Sequence, residues 1–467
     1  MIFRPGSLVL ASLFSLLNLL SLALLPAGSA TAGPAAQEFH LSNGMKVIVN
    51  EDHRAPTVAH MVWYRVGSMD EQNGVTGVAH VLEHMMFKGT KQLKPGEFSE
   101  RVAKLGGREN AFTSKDYTAY FQQVEKSRLE KVMALEADRM HNLTMDAAEF
   151  GKEIRVVMEE RRLRTDDQPL SLLNEAMHAT AWVAHPYRNP VVGWMDDLQN
   201  MKASDALDWY RRWYAPNNAT LVVSGDVDAK QVLALAQKHF GRIPSKPLPV
   251  TRPQQEPLQT GVKRVTVKAP AENPYLMLAW KVPKLNDVEK DHETFALEVL
   301  AAVLDGYDNA RLPARLVRTE RLANSVDAGY DGMERGPVMF VMSGEPTQDT
   351  TIDKLEAALR AEVARVADEG VSAQELRRVK AQLIASQVYK RDSVFGQAME
   401  IGTMEMAGIS HKQIDRIIER LSAVTPEQVQ AVARKYFSDD QLTVATLSPL
   451  PMSAQATRPA SVPGLRH

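Results

Sequence analysis

The stretch GVAHVLEHMMFKGT, residues 77–90, follows a strand-like run, VWYRVGS, at residues 62–68. The same order recurs further along the chain, where LAWKVPK (278–284) precedes LEVLAAVLDG (297–306). In both places an apolar, strand-like run leads into an amphipathic helical pattern that ends at a glycine. The two stretches therefore indicate one structural unit that occurs twice.

A third matched pair closes the two halves of the chain. WYAPNNATLVVSGDV (213–227) ends the first half, and KYFSDDQLTVATLSP (435–449) ends the second. Coincidence between generic strand and helix patterns is the alternative for any single pair. Three pairs in the same order favour duplication.

The proline-rich stretch PSKPLPVTRPQQEP, residues 244–257, separates the halves, and its composition is typical of an extended, semi-rigid linker. The sequence therefore predicts an α+β fold of two homologous domains, each a mostly antiparallel sheet with helices packed on one face. The first strands form a predicted hairpin around Asn43-Gly44. The expected boundaries are 38–243 for the first domain, 244–261 for the linker, 262–450 for the second domain and 451–467 for a disordered tail.

The N-terminal residues 1–32 predict an export signal. Residues 8–25 are almost wholly apolar, and the small-residue motif at 30–32 predicts cleavage after Ala32. The alternative is a retained membrane anchor, because about 18 apolar residues are just enough to span a bilayer. Cleavage would place the chain in the periplasm or outside the cell, with no stable membrane span.

The composition excludes several classes of protein and site. A net charge of -2, without a basic stripe that carries aromatic residues, argues against a nucleic-acid partner. The absence of cysteine rules out thiolate metal ligands. An exported chain of 467 residues without disulfides must rely on its hydrophobic core, and its length permits that.

Within residues 77–90, three polar side chains fall on one face of the predicted helix. His80, Glu83 and His84 are spaced at i, i+3 and i+4. Two imidazoles at this spacing can reach one Zn²⁺, and the carboxylate between them can take a proton from a water that the metal activates. The alternative is a helix with surface histidines, since a five-residue match alone is moderate support.

A catalytic zinc ion usually has three protein ligands, so a third ligand is needed. The predicted helix KEIRVVMEERR, residues 152–162, carries Glu153, Glu159 and Glu160. Glu153 and Glu160 are nearly two turns apart and share a face, whereas Glu159 points elsewhere. The alternative is a solvent-exposed charged helix.

Several motifs together resemble the pitrilysin/insulinase family of zinc peptidases, and most closely the branch that contains mitochondrial processing peptidase and its bacterial relatives. The resemblance covers about residues 38–450. It is carried by GVAHVLEHMMFKGT and by NAFTSKDYTAYF (110–121), KEIRVVMEE (152–160), HPYRNPVVGW (185–194) and RRWYAPNNATLVVSGDV (211–227). The ordered set is far more specific than the H-x-x-E-H core.

The resemblance implies a role for each residue of the predicted site. His80, His84 and Glu160 would be the ligands of one zinc ion per chain. Glu153 would be an accessory carboxylate, and Glu83 would be the base that activates water. HPYRNPVVGW would be structural rather than catalytic. The implied activity is a zinc-dependent endopeptidase that acts on peptides or unfolded polypeptide segments.

The resemblance also implies how substrate binds. Asn110 and Ala111 would lie on an edge strand near the metal, and substrate would add to it as a further strand. The alternative for Asn110 is a turn residue. In the second half, Arg318 matches a substrate-binding arginine of the family, but Asn324 stands where a tyrosine is expected.

The second half lacks the metal motif, because Leu297, Leu300 and Ala301 stand opposite His80, Glu83 and His84. In the processing-peptidase branch that the chain resembles, a zinc-bearing subunit pairs with a metal-less one. Together with the altered substrate motif, this resemblance implies a homodimer, or a heterodimer with a related metal-less subunit.

Two other functions compete with the peptidase. One is a non-catalytic structural or chaperone-like subunit of a hetero-oligomer, but such relatives carry degraded motifs. The other is metal storage or sensing, which needs no base such as Glu83.

Overall fold

The structure is a computed structural model that describes residues 35–252 and 254–452. Over these residues the fold is α+β, with two sheets and helices that cover them, as the sequence predicts. The predicted export signal, residues 1–32, and the part of the predicted tail from residue 453 onwards lie outside the described residues. Within the described ranges, no helix combines the length and the apolar character needed to cross a bilayer.

The first sheet has the order β1-β2-β6-β3-β5-β4, with β2 and β6 parallel and the other neighbours antiparallel. The predicted hairpin is confirmed, and its turn contains Gly44 at a φ of +87°. The strands are β1 (Gln37–His40), β2 (Lys46–Glu51), β3 (Thr57–Tyr64), β4 (Arg108–Thr113), β5 (Thr118–Glu125) and β6 (Ala219–Gly225).

The second sheet has the order β7-β11-β8-β10-β9, again with one parallel pair, β7 and β11. Its strands are β7 (Lys263–Pro270), β8 (Tyr275–Val282), β9 (Ala323–Tyr330), β10 (Val338–Pro346) and β11 (Leu442–Leu450). The strands β2-β6-β3-β5-β4 of the first sheet follow the same order and directions. This shared topology agrees with the duplication that the sequence predicts.

The helices of the first half are α1 (Val78–Met85), α2 (Glu97–Lys104), α3 (Leu129–Asn142), α4 (Ala147–Arg161), α5 (Pro169–Ala181), α6 (Met195–Asn200), α7 (Ala203–Trp213) and α8 (Ala229–His239). Those of the second half are α9 (His292–Asp305), α10 (Ile352–Glu369), α11 (Ala373–Lys390), α12 (Val394–Ala407), α13 (Ile414–Ala423) and α14 (Pro426–Tyr436). A large core lies between each sheet and the helices of its own half.

Each sheet also receives one helix from the other half on its second face, which the sequence does not predict. Helix α5 buries Leu173 and Met177 against Ala279 and Ala445 of the second sheet. Helix α12 packs Ala398 and other apolar residues against the second face of the first sheet. The two halves therefore share two apolar layers besides the linker that joins them.

The residues between α8 and β7 form neither helix nor strand where the structure describes them. Glu256 anchors this segment, because its carboxylate accepts hydrogen bonds from the amides of Val183, Ala184 and His185 and pairs with Lys281 at 2.9 Å. The linker is thus attached to both halves.

Candidate metal centre and active site

Helix α1 begins directly after Gly77, where the backbone closely approaches the segment that contains Gly193. Gly77 has a φ of +85°, and a Cβ there would lie 2.4 Å from the carbonyl oxygen of Val192. The carboxylate of buried Glu71 accepts hydrogen bonds from the amides of Gly77 (2.8 Å) and Ala79 (2.9 Å). Burial raises the pKa of Glu71 to about 8, against the effect of these amides. Because these amides have no partner within the helix, Glu71 holds the start of α1 in place.

Helix α1 presents His80 and His84 to α4, where Glu160 lies one residue before the helix ends. Atom Oε2 of Glu160 lies 3.3 Å from Nε2 of His84 and 3.7 Å from Nε2 of His80. One ligand atom from each residue falls within 4.8 Å of the other two. The side chains of His80, His84 and Glu160 are 12%, 6% and 3% exposed. This donor set could hold a divalent metal ion.

Glu153 contacts the other nitrogen of His84. Its Oε1 lies 2.9 Å from Nδ1 of His84, and its Oε2 pairs with Nζ of Lys88 at 2.5 Å. Burial opposes ionisation of Glu153, but His84 and Lys88 lower its pKa. A carboxylate on the outer nitrogen fixes the tautomer and the orientation of a ligand histidine. Glu153 therefore directs Nε2 of His84 towards Glu160.

Glu83 lies beside the three candidate ligands, and its side chain contacts strand β4. The hydroxyl of Thr113 donates a hydrogen bond of 2.5 Å to Oε2 of Glu83. Burial raises the pKa of Glu83 to about 7, although the Thr113 hydroxyl and His84 lower it. A carboxyl group with a pKa near neutrality suits proton transfer.

The charges of the site favour a cation. Burial opposes ionisation of Glu160, but His84, His80 and Arg164 lower its pKa to about 2. Burial also opposes a charge on His84, but Glu153 and Glu160 raise its pKa to about 9. Carboxylates that hold a proton on a buried imidazole would also hold a divalent cation, which competes for the same nitrogen. The residues present therefore fit a metal ion.

A cavity of about 260 Å³ opens between the candidate metal centre and the edge strand β4. Ala111 and Thr113 line it on the strand side. Asn110 lies in β4 rather than in a turn, and its side-chain oxygen accepts a hydrogen bond of 2.9 Å from the amide of Ala111. The structure thus brings the predicted edge strand next to the predicted metal ligands.

The comparisons with known proteins agree with this geometry. A family model described as Insulinase (Peptidase family M16) matches residues 46–193, and one described as Peptidase M16 inactive domain matches residues 200–383. The zinc protease PqqE of Helicobacter pylori is 32% identical over 426 residues, which cover 89% of this chain and 93% of that protein. The chain belongs to peptidase family M16.

A solved structure and another relative are also similar over most of their length. The crystal structure of a protease from Helicobacter pylori superposes with a TM-score of 0.84 at 29% identity, and the match covers 89% of this chain and 100% of that one. The mitochondrial-processing peptidase subunit beta of Blastocladiella emersonii is 26% identical, with 89% of each chain covered. The likeness to the processing-peptidase branch is therefore shown.

The second half of this M16 chain has an apolar helix where the first half has its candidate ligands. Leu297, Leu300 and Ala301 are buried on α9. Arg318 donates to Asn309 at 2.9 Å and is not among the described residues that line the cavity beside His80. Asn324 donates to Glu345 at 2.8 Å. The structure does not bring the predicted Arg318 contact to the candidate metal centre of its own chain.

Three residues beyond the predicted set contact the site. Nη1 of Arg164 pairs with Oε1 of Glu160 at 2.7 Å, which leaves the other oxygen directed at the histidines. Arg164 follows Glu160 by four residues, and this helical spacing could have indicated the contact from the sequence. Thr113 and Glu71 reach the site from separate elements, and no spacing along the chain indicates those contacts.

The run HPYRNPVVGW packs against the start of α1. A Cβ on Gly193 would lie 2.4 Å from the carbonyl oxygen of Thr76, so Gly193 meets Gly77 in close contact. Nδ1 of His185 accepts a hydrogen bond of 3.2 Å from the amide of Tyr187. These contacts agree with a structural role for this run, although it packs directly against the start of the ligand helix α1.

Proposed function

We propose that this chain is a zinc-dependent endopeptidase that hydrolyses peptides or unfolded polypeptide segments. The observation that carries the proposal is the convergence of His80, His84 and Glu160 within 4.8 Å, beside the carboxyl group of Glu83. Relatives along almost the whole chain are named zinc proteases, and His₂Glu is a common ligand set for catalytic zinc.

His80, His84 and Glu160 would hold the zinc ion. When bound, zinc would act as a Lewis acid and would lower the pKa of water at the site towards neutrality. Glu83 would accept the proton of the attacking water and then deliver it to the leaving amine. The Thr113 hydroxyl holds the carboxylate of Glu83 on the cavity side while this transfer takes place.

Strand β4 would bind the substrate. It is an edge of the first sheet, so its free backbone groups can pair with an extended peptide through main-chain hydrogen bonds. Ala111 and Thr113 line the cavity beside the donor set. An extended segment on this edge would place one of its peptide bonds near Glu83, which favours unfolded chains over folded proteins.

We also propose that the chain acts outside the cytoplasm, in line with the export signal predicted for residues 1–32, and that it forms a dimer. Arg318 and Asn324 contact Asn309 and Glu345 rather than the cavity of their own chain. A second M16 chain would supply the substrate contacts of the second half. Light scattering of the purified protein tests this, and a fully active monomer would refute it.

The test of the proposed activity is chelator-sensitive cleavage of a quenched-fluorescent peptide together with metal analysis. Wild-type protein should contain one zinc ion per chain and should lose turnover with chelator. The variant E83Q should keep its zinc and lose turnover. The control E159Q replaces an exposed glutamate of α4 that pairs with Arg162, and it should behave as wild type. Absence of chelator-sensitive cleavage would favour a non-catalytic subunit.

A further inference from the structure

A loop of the metal-less half contacts the first half at three places. This Arg335 loop, residues 334–336, lies in the connection between β9 and β10. Nη1 and Nη2 of Arg335 donate to the two carboxylate oxygens of Asp70 at 2.8 and 3.1 Å. Nη1 also donates to the carbonyl oxygen of Asp116 at 2.8 Å, and the Arg335 amide donates to the carboxylate of Asp116 at 2.9 Å. Gly336 donates to the hydroxyl of Tyr187 at 2.8 Å.

These contacts are buried and geometrically restrictive. The side chains of Arg335 and Asp70 are 11% and 2% exposed. The hydroxyl of Tyr187 in turn donates to Asp116, so the two first-half residues are linked to each other. A Cβ on Gly336 would lie 2.6 Å from the rings of His185 and Tyr187, which therefore fit closely around the loop. A two-pronged arginine–carboxylate contact fixes orientation as well as distance.

Each of the three contacted segments continues directly into the candidate active site. Asp70 is followed by Glu71, which holds the first amides of α1. Asp116 lies three residues after Thr113, whose hydroxyl contacts Glu83. Tyr187 lies five residues before Val192, a residue of the cavity wall, in the same run. One loop of the second half thus holds all three segments that frame the metal-binding helix.

We propose that Arg335 is a positioning residue, through which the metal-less half sets the geometry of α1, Thr113 and the cavity wall in the first half. The proposal rests on the proposed peptidase function for its kinetic consequence. It assigns the second half a role at the reaction centre of its own chain, besides any role in a dimer. Arg335 itself does not touch the substrate or the metal ligands in this scheme.

The test compares R335Q, R335K and a control, R264Q, in the full-length protein. Arg264 forms a two-pronged pair with Glu356 at 2.7 and 2.8 Å inside the second half. R264Q therefore removes another two-pronged arginine–carboxylate pair, whose arginine is more exposed than Arg335 and which lies away from the three first-half segments. The measurements are kcat and KM for a quenched-fluorescent peptide, the thermal midpoint, and amide hydrogen exchange of residues 67–84.

We expect R335Q to lower kcat by about tenfold or more with KM changed less than about twofold, because misplaced groups lose rate while binding persists. Exchange should increase in residues 67–84 and stay unchanged in the core strands. R335K, which keeps the charge but not the fork, should lie between R335Q and wild type. R264Q should match wild type in kcat and in exchange at 67–84.

Wild-type kcat and wild-type exchange at residues 67–84 in folded R335Q would overturn the proposal. Equal losses in R335Q and R264Q would overturn it as well, because they would indicate stability alone. Should R335Q fail to fold, R335K decides by the same two readouts. Should the wild type show no chelator-sensitive cleavage, the proposed function fails, and the exchange measurement still decides whether Arg335 positions α1.

Discussion

The hydroxyl of Thr113 lies 2.5 Å from Oε2 of Glu83, and this contact joins the edge strand β4 to the helix that carries the candidate ligands. The strand proposed to bind substrate therefore also orients the proposed base. Substrate that pairs with β4 would meet a carboxylate whose position is set by the same strand. In the proposed mechanism, substrate binding and proton transfer would be coupled through the side chain of Thr113.

We expect T113V to lower kcat by about tenfold, because Glu83 then loses the hydrogen bond that holds it towards the cavity. Zinc content, measured by elemental analysis, should not change, since Thr113 is not part of the candidate donor set of His80, His84 and Glu160. T113S keeps the hydroxyl and should stay within about threefold of wild type. A T113V variant with wild-type kcat would remove Thr113 from the mechanism.

Glu153 gives a second prediction, which concerns metal affinity. Its carboxylate orients His84 from the far side of the ring, at 2.9 Å from Nδ1. E153Q should weaken zinc binding by about 10- to 100-fold, the usual effect of losing such a partner. Competition with a chromophoric chelator measures it. E149Q changes a partly exposed residue of the same helix, which pairs with Lys152, and should bind zinc as wild type does. An unchanged affinity in E153Q would contradict the assignment.

The sequence was sufficient to predict the two helices of the site and that Glu153 and Glu160 lie on the same face of the second one. Spacing along a helix determines which side chains share a face, and α4 runs through both residues as expected. The contacts of Thr113, Glu71 and Arg335 could not be predicted in this way. They join elements that are distant in the chain, and only the packed fold brings them together.

The positions of α5 and α12, each packed on the sheet of the other half, also could not be predicted from the sequence. An apolar helical face, such as that with Leu173 and Met177, reveals that a helix must be buried. It does not reveal which sheet will cover it. The repeated motifs predicted that the two halves share one arrangement of elements. The crossing of one helix from each half depends instead on complementary surfaces that no local pattern records.

The ion pair between α12 and the first sheet leads to a prediction about pH. Glu405 accepts hydrogen bonds from Lys46 at 2.6 Å and contacts His411 at 2.8 Å. Burial opposes ionisation of Glu405, but His411 and Lys46 lower its pKa from 4.5 to about 2. A lowered pKa in the folded state stabilises the protein above about pH 4.5, and this contribution is lost as the pH falls towards 2.

We expect E405Q to lower the free energy of unfolding by about 2 kcal/mol at pH 7, because it removes a buried charge contact. The difference from wild type should shrink as the pH is lowered from about 5 to about 3. Denaturant titrations at several pH values measure it. The control E419Q changes an exposed glutamate of α13 and should have little effect on the free energy of unfolding at any pH tested. If the loss of unfolding free energy in E405Q did not vary with pH, the prediction would be contradicted.

At Gly402, helix α12 packs closely against Trp63 of the first sheet. A Cβ there would lie 2.0 Å from Cε2 and 2.3 Å from Cζ2 of Trp63, which is fully buried in β3. Because a fully buried indole has little room to move, G402A should force the helix away from the sheet. We expect G402A to lower the free energy of unfolding by about 1–3 kcal/mol, measured by denaturant titration.

The matched control is G151A, which makes the same substitution in α4, where a Cβ would meet no atom within 4 Å. Alanine favours the helical backbone over glycine, so G151A should stabilise the protein by about 0.5–1 kcal/mol. If G402A lowers the free energy of unfolding while G151A raises it, the loss of stability in G402A comes from contact of the new Cβ with Trp63. A stabilising G402A would mean that α12 does not lie as close to the first sheet as the structure places it.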